Sequence, residues 1–114
     1  MIVRTWRGRA PADKPEDYAA HFNKTVLPEL RALPGFVHAM LLRQARPEGF
    51  EFLVLTTWAS LDAVKAFAGE RYERAVVEPG AVAALESFDA TVEHYDLIMD
   101  ASRAMEQPAG EPGP

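Results

Sequence analysis

The chain has 114 residues, which suits one domain, and its 48% apolar and 25% charged content is ordinary for a soluble globular protein. Its net charge of −5 speaks against a nucleic-acid partner, for which a basic face is expected. No stretch approaches the roughly 20 uncharged residues that a membrane span requires, so no membrane partner is predicted. The absence of cysteine excludes disulfides and zinc–thiolate sites and suits a cytoplasmic location.

The first predicted elements are a strand over residues 2–9 and a long helix that ends at Pro34-Gly35. Asp13 and Glu16 have the spacing of a capping box, so the helix begins close to them, and Pro28 predicts a kink within it. One apolar stripe repeats at helical intervals and comprises Tyr18, Phe22, Val26, Leu30 and Leu33. This stripe predicts the face that the helix buries. The neighbouring His21 is expected to face solvent or the helix edge.

Two further strands, residues 36–44 and 50–58, are predicted to form a hairpin through a turn at residues 46–49. The third strand is apolar on both faces, with Phe52, Val54 and Trp58 on one and Leu53 and Leu55 on the other. A sheet that contains such a strand needs cover on two sides.

The remaining predicted elements are a helical region and a last strand. Ser60 is expected to cap a helix over residues 61–68, with helical character resuming over residues 71–77. A brief turn at residues 81–85 then leads to a strand over residues 88–97. Residues 106–114 contain three prolines and two glycines without apolar periodicity, and a disordered tail is expected there. We therefore predict one domain over residues 1–98 and a C-terminal extension, largely disordered, over residues 99–114.

The order strand, helix, strand, strand, helix, strand predicts an α+β fold, the ferredoxin-like βαββαβ sandwich. Right-handed crossovers give a four-stranded antiparallel sheet in the spatial order four, one, three, two, with both helices on one face. The other face would expose apolar groups of the hairpin over several hundred square ångströms, which soluble monomers rarely do. We therefore predict a homodimer that packs sheet against sheet. Eight of the twelve lysines and arginines precede residue 47, whereas thirteen of the seventeen acids follow it. This charge asymmetry could align two copies of the chain, or the charged side chains could simply form solvated surfaces without a partner.

Four stretches give the chain a resemblance to the antibiotic biosynthesis monooxygenase (ABM) domain of the dimeric α/β-barrel superfamily, over roughly residues 1–97. They are Leu33-Pro34-Gly35-Phe36, Thr57-Trp58-Ala59-Ser60, Ala63 to Phe67, and His94-Tyr95. The resemblance implies a substrate pocket between sheet and helices in each subunit. It also implies one of two activities, namely oxidation of aromatic polyketides by dioxygen without metal or flavin, or degradation of haem.

Three residues are the predicted catalytic groups: Trp58, Tyr72 and His38. With the first and third strands read as adjacent and parallel, Trp6 and Trp58 lie toward the same end of the sheet, and Tyr72 follows on the helix that would roof a site there. Tyr72 would act as a proton donor or orienting group, and His38, expected on the same side as Phe36 and Met40, as a base. The structural alternatives are that Trp58 is a core ring, that Tyr72 buries only its ring, and that His38 is an interface histidine.

Four residues are the predicted substrate-binding groups: Arg4, Trp6, Phe67 and Phe22. The aromatic rings would stack on a flat aromatic ligand, and Arg4 would neutralise a substrate oxygen. An ion pair between subunits would explain Arg4 equally well, and Trp6 is also suited to a place in the core.

Haem and metal sites are disfavoured. The haem-degrading pattern implied by the resemblance has an asparagine on the first strand and a tryptophan and a histidine on the second helical region. This chain has Trp6 and Arg7, Phe67, and Val77 at those positions, and valine cannot ligate iron. His38 and His94 fall on opposite edges of the predicted sheet, separated by three strand spacings or roughly 14 Å, too far to share a metal ion. No cofactor and no metal are predicted.

The leading hypothesis is a small homodimeric ABM-type protein that binds a hydrophobic, aromatic or polyketide-type metabolite and oxygenates it without a cofactor. The alternative is a non-catalytic ligand-binding or stress-associated protein of the same fold. A third hypothesis, an isomerase or cyclase that uses His38 or Arg4, differs in that its reaction needs no oxygen.

Overall fold

Three long strands and two short ones form a single sheet that is covered by helices on one face. In the computed structural model, which describes residues 1–102, the strands are β1 (Ile2–Pro11), β2 (Phe36–Arg46), β3 (Gly49–Trp58), β4 (Ser87–Phe88) and β5 (Glu93–Asp96). The helices are α1 (Asp17–His21), a π-helical turn (Phe22–Val26), α2 (Leu27–Arg31), α3 (Leu61–Ala68) and α4 (Pro79–Ala84). The predicted α+β ferredoxin-like class is confirmed, and the tail predicted over residues 106–114 lies outside the described residues.

The strand order is β2-β3-β1, with β4 and β5 both paired to the free edge of β1. This is the predicted order. The expectation that the first and third strands run parallel is wrong, because β1 pairs with β3 antiparallel, with Trp6 opposite Val54 and Trp58 opposite Ile2. A right-handed crossover makes β1 and β2 parallel, and the hairpin makes β3 antiparallel to β2, so β3 must also oppose β1. Trp6 and Trp58 therefore lie four residues apart along the sheet.

The predicted last strand is broken in two, because residues 90–92 bond to a different partner. The Ala75 amide donates to the Ala90 carbonyl at 2.9 Å, and the Val92 amide donates to the Glu73 carbonyl at 2.8 Å. These bonds hold the segment before α4 in extended form, so the helix predicted over residues 71–77 is wrong.

The helical regions otherwise follow the sequence signals. Residues 17–31 form one continuous helical stretch, and the kink predicted at Pro28 takes the form of a π-helical turn just before it, where the Leu27 amide bonds to the Phe22 carbonyl. Ser60 caps α3 as predicted, with its hydroxyl oxygen accepting from the Ala63 amide at 3.2 Å. The expected turn at residues 81–85 is instead α4, which begins with Pro79.

The core lies between the sheet and the helices. Alternate residues of β1 and β3 point into it, and the largest fully buried side chains are Trp58, Phe52 and Val64. We call the opposite side of the sheet the open face. Its apolar side chains are Val3, Met40, Leu42, Leu53, Leu55 and Tyr95.

A β-bulge at Val37 decides which way the start of β2 faces. Phe36 pairs with Trp58 on the helix-covered face, whereas His38 pairs with Thr57 and lies on the open face beside Met40. The expectation that Phe36, His38 and Met40 share one side is therefore wrong, since the extra residue inverts the alternation. No helix within residues 1–102 is long and apolar enough to cross a membrane.

Candidate functional site

A cavity of about 270 Å³ lies between the sheet and the helices. Its wall is mainly apolar, and the aromatic side chains that line it are Trp6, Tyr18, Phe22 and Phe67. The polar side chains that line it are Arg4, His21, Glu29, Thr56 and Glu78. An apolar cavity with a few converging polar groups is the usual form of a small-molecule site.

Arg4 is the buried cation of this cavity. Its side chain is only 5% exposed, and its guanidinium donates hydrogen bonds to the carbonyl oxygens of Tyr72 and Arg74. Within residues 1–102 Arg4 forms no salt bridge, although four other arginines do. Burial lowers the pKa of Arg4 to about 10, so the group is still charged at neutral pH. A buried positive charge without a carboxylate favours an anionic or strongly accepting ligand oxygen beside it.

His94 lies on β5, directly opposite Arg4 of β1. The Arg4 Nη1 atom lies 3.0 Å from the His94 Nε2 atom. Because a guanidinium can only donate, Nε2 must be the accepting nitrogen and the imidazole is neutral. Burial, together with the charge of Arg4, lowers the pKa of His94. The edge of the imidazole meets the Tyr72 ring at a centroid distance of 5.3 Å.

His21 forms part of the helix wall of the cavity and is half-buried, which agrees with the expected position at the helix edge and not with the alternative of facing solvent. Its Nε2 atom is buried and has no hydrogen-bond partner within residues 1–102. The imidazole packs against the Tyr18 ring and against Gly80 at the start of α4. A methyl group at Gly80 would lie 2.5 Å from His21 Nδ1, so the glycine makes room for the ring.

Two carboxyl groups, Glu29 of α2 and Glu78 just before α4, also line the cavity. Partial burial, repulsion by Glu29 and a hydrogen bond from one side chain to the other raise the pKa of Glu78, while His21 opposes this shift. These two carboxyl groups are the acidic side of the cavity, and the Arg4 guanidinium is its basic side.

The aromatic walls are held in place by contacts of their own. Trp6 Nε1 donates to the Asp89 carbonyl at 2.7 Å, and its ring lies 6.0 Å from that of Tyr18. Burial and the charge of Glu78 raise the pKa of Tyr18, so its hydroxyl stays protonated at neutral pH. The predicted binding residues Arg4, Trp6, Phe22 and Phe67 are therefore brought together around one space, and their role in binding stays a prediction.

The three predicted catalytic residues lie elsewhere. Trp58 is fully buried behind the cavity, stacked on Phe67 at 5.0 Å, and its Nε1 donates to Thr56 Oγ1 at 2.9 Å. Tyr72 lies behind Arg4 and contributes its carbonyl oxygen. His38 is exposed on the open face and cannot reach the cavity of its own chain. A catalytic role for these residues stays a prediction that the geometry does not support.

Sequence reasoning did not select His21, Glu29 or Glu78. His21 was expected to face solvent or the helix edge, and its spacing of three residues from Tyr18 favours the edge of the buried face. Glu78 carried no such signal, because it lies between the predicted helix over residues 71–77 and Pro79 and belongs to no periodic pattern. Within residues 1–102 no group of three or more His, Asp or Glu side chains is arranged to hold a metal ion.

These features define a ferredoxin-like α+β domain with a small-molecule cavity under its helices. The model of the antibiotic biosynthesis monooxygenase family matches residues 1–79, and the chain belongs to that family. No curated protein sequence matches it.

Three solved structures share this fold. An antibiotic biosynthesis monooxygenase described as putative, from Bacillus cereus, has a TM-score of 0.61 at 15% identity, covering 91% of this chain and 97% of its own. The haem degrader MhuD from Mycobacterium tuberculosis, with two haems bound, has a TM-score of 0.58 at 17% identity, and the match covers 90% of this chain and 100% of MhuD. SnoaB, a cofactor-independent oxygenase from Streptomyces nogalater, has a TM-score of 0.51 at 19% identity, and the match covers 93% of this chain and 96% of SnoaB. At these identities the likeness concerns the fold.

Proposed function

We propose that this protein is a cofactor-independent monooxygenase that acts on a small aromatic or polyketide-type phenol. The observation that carries the proposal is the buried, carboxylate-free guanidinium of Arg4 in the wall of an aromatic-lined cavity. Such a cation stabilises the anion of an ionised phenol or enol. An electron-rich anion of this kind can react with dioxygen directly, so the protein needs only to orient it and to manage its protons.

The family and the relative SnoaB, named as a cofactor-independent oxygenase, support this class of reaction. For a test substrate such as dithranol, a dihydroxyanthrone, the reaction converts the ring methylene to a carbonyl. One oxygen atom of dioxygen enters the product, and the other leaves as water with the two methylene hydrogens.

Haem degradation is not supported as a second candidate function, because haem does not fit this cavity. The cavity volume of about 270 Å³ is at the low end for small-molecule pockets, and haem is a far larger molecule than a three-ring phenol such as dithranol. The positions at which the resemblance implies a tryptophan and a histidine hold Phe67 and Val77. Haem degradation, the activity named for MhuD, is therefore not proposed for this chain.

We also propose that two copies pack through the open face. Thr5, Leu55 and Met40 lie side by side across β1, β3 and β2, and the next row pairs Leu53 with Leu42. Met40 and Leu42 are 46% and 47% exposed in one chain, which leaves an apolar strip at the centre of the face. A second copy would cover that strip. A cytoplasmic location stays a prediction from the cysteine-free sequence.

Oxygen uptake with dithranol tests the catalytic proposal. The protein is mixed with dithranol without oxygen, oxygen is admitted, and anthraquinone absorbance is compared with the protein-free rate. We expect acceleration by wild type and by Arg43→Met, whose guanidinium is exposed and paired with Glu16, and loss of acceleration in Arg4→Met.

The same experiment separates the other functions. Binding of dithranol and related hydroquinones without any accelerated oxygen uptake would identify a non-catalytic binding protein. Conversion in the absence of oxygen would identify an isomerase or cyclase.

A further inference from the structure

We propose that His21 is the proton acceptor of the cavity, acting on a ligand whose acidic O–H or C–H group is conjugated through an aromatic ring to an oxygen held by Arg4. The reaction of the resulting anion with dioxygen rests on the function proposed above, whereas the proton transfer does not depend on it.

The buried Nε2 atom of His21 is the observation that points to this role. A buried polar atom without a partner destabilises the folded state, because it has lost its hydrogen bonds to water without replacing them. Nε2 is such an atom within residues 1–102, and its ring lines the cavity. A ligand group that donates to Nε2 would satisfy it.

The position of His21 relative to Arg4 selects the kind of ligand. Arg4 lies on β1 in the sheet wall, and His21 lies at the end of α1 in the helix wall. A flat ligand between the two walls therefore presents one functional group to each. A para-substituted phenol or an anthrone has this layout, because its acidic group and its second oxygen function stand on opposite sides of one ring.

The surroundings of His21 suit the formation of an imidazolium ion. The titratable and charged groups around it are Tyr18 of its own helix, Glu29 of α2, Glu78 ahead of α4 and Arg4 across the cavity. The pair of carboxyl groups carries negative charge, which compensates the cation that forms on His21. Tyr18 stays neutral, since burial raises its pKa.

The proton-transfer step balances without any further reactant. The O–H or C–H bond of the ligand breaks, and the proton forms a new bond with Nε2. The electron pair of the broken bond passes into the ring and onto the oxygen beside Arg4. The products are an imidazolium ion and a ligand anion, each next to a group of opposite charge.

The test uses para-nitrophenol under nitrogen, because its phenolate absorbs in the visible range and its nitro group supplies the second oxygen function. At a pH just below the pKa of the free probe, we expect wild type to bind the probe mainly as phenolate. In His21→Gln the ratio of phenolate to phenol in the bound probe should fall at least tenfold. Lys24→Gln, which makes the same new side chain at an exposed position three residues further along the helical stretch, is the matched control and should behave as wild type.

A second variant keeps the imidazole but moves it. Gly80→Ala places a methyl group against His21 Nδ1 and should also lower the bound phenolate fraction, even if His21→Gln fails to fold. With dithranol and oxygen, His21→Gln should lower kcat by on the order of a hundredfold, the usual contribution of a positioned base.

The outcomes separate the two proposals. Equal phenolate fractions in wild type, His21→Gln and Gly80→Ala, or no binding of the probe to wild type, would overturn the role of His21. A lowered fraction in the variants without oxygen uptake by wild type would retain His21 as proton acceptor and remove the monooxygenase.

Discussion

The guanidinium of Arg4 and the imidazole of His94 lie 3.0 Å apart, from Nη1 to Nε2, and this contact connects the cavity to the edge of the sheet. The same guanidinium holds the carbonyl oxygens of Tyr72 and Arg74. The proposed ligand binding at Arg4 and the position of residues 72–74 therefore depend on one side chain. A protonated His94 would place a second positive charge beside it.

The stability of the protein is expected to fall in mild acid. Burial and Arg4 lower the pKa of His94 from its ordinary value of 6.5 in the folded chain, so the unfolded chain binds the proton first as the pH is lowered. The free energy of unfolding should decrease as the pH falls below 6.5 and should level off once the folded form is also protonated. Urea unfolding across this range measures it. In His94→Gln, whose amide oxygen still accepts from Arg4, this part of the pH dependence should vanish, and its persistence would assign the effect to other groups.

Trp58 is expected to contribute to stability rather than to ligand binding. Replacing Trp58 by phenylalanine removes the hydrogen bond to Thr56 and leaves a void under Phe67, at a cost of about 1–3 kcal/mol in the free energy of unfolding. Thermal unfolding of Trp58→Phe should show a lower Tm than wild type. Titration with para-nitrophenol should show an unchanged affinity for this probe. Trp6→Phe is the matched comparison, since Trp6 lines the cavity and should change the affinity for the probe. A loss of affinity in Trp58→Phe at unchanged stability would contradict this.

Substitutions at two glycines with positive φ distinguish the cost of backbone strain from the cost of a steric clash. Gly35 has φ 84° and Gly69 has φ 87°. At Gly69 a methyl group meets nothing within 4 Å, whereas at Gly35 it would lie 2.5 Å from the Ala63 Cβ atom of α3. We expect Gly69→Ala to cost about 1–3 kcal/mol from conformation alone, and Gly35→Ala to cost more. Urea unfolding measures both, and equal costs would show that α3 moves aside freely.

The open face is expected to form the dimer interface. Light scattering at micromolar concentration should give wild type twice the chain mass of 12.6 kDa. Met40→Glu places a charge in the apolar strip and should give the mass of one chain, because a buried, unpaired carboxylate is costly. Val82→Glu introduces the same charge at an exposed position of α4 and should leave the dimer intact. A single-chain mass for wild type would falsify the proposed assembly.

The elements that local sequence signals predict are those whose partners are close in the chain. The hairpin of residues 36–58 and the helix capped by Ser60 were predicted within two residues, because a turn and a cap act locally. The helix predicted over residues 71–77 failed for the opposite reason. Two of its carbonyl groups bind Arg4, which is about 70 residues away, the Ala75 amide donates to the Ala90 carbonyl, and the Glu73 carbonyl accepts from the Val92 amide.

The residues of the candidate site show the same difference between local and long-range signals. Arg4, Trp6 and Phe22 were selectable because they belong to regular elements whose covered face follows from apolar periodicity. Phe36 and His38 were assigned to the same side of the sheet, which is wrong, since a single-residue bulge between them inverts the alternation and leaves no clear mark in composition. His21, Glu29 and Glu78 come from three different segments, and only their packing makes them neighbours.

The class of fold, the strand order and the apolar character of both sheet faces could be predicted, because they follow from periodicity, turn residues and the handedness of crossovers. Which polar groups meet in the cavity, and which way each one faces, became visible in the folded chain alone. That outcome depends on long-range hydrogen bonds and on a shift of one residue in register, and local propensity contains neither.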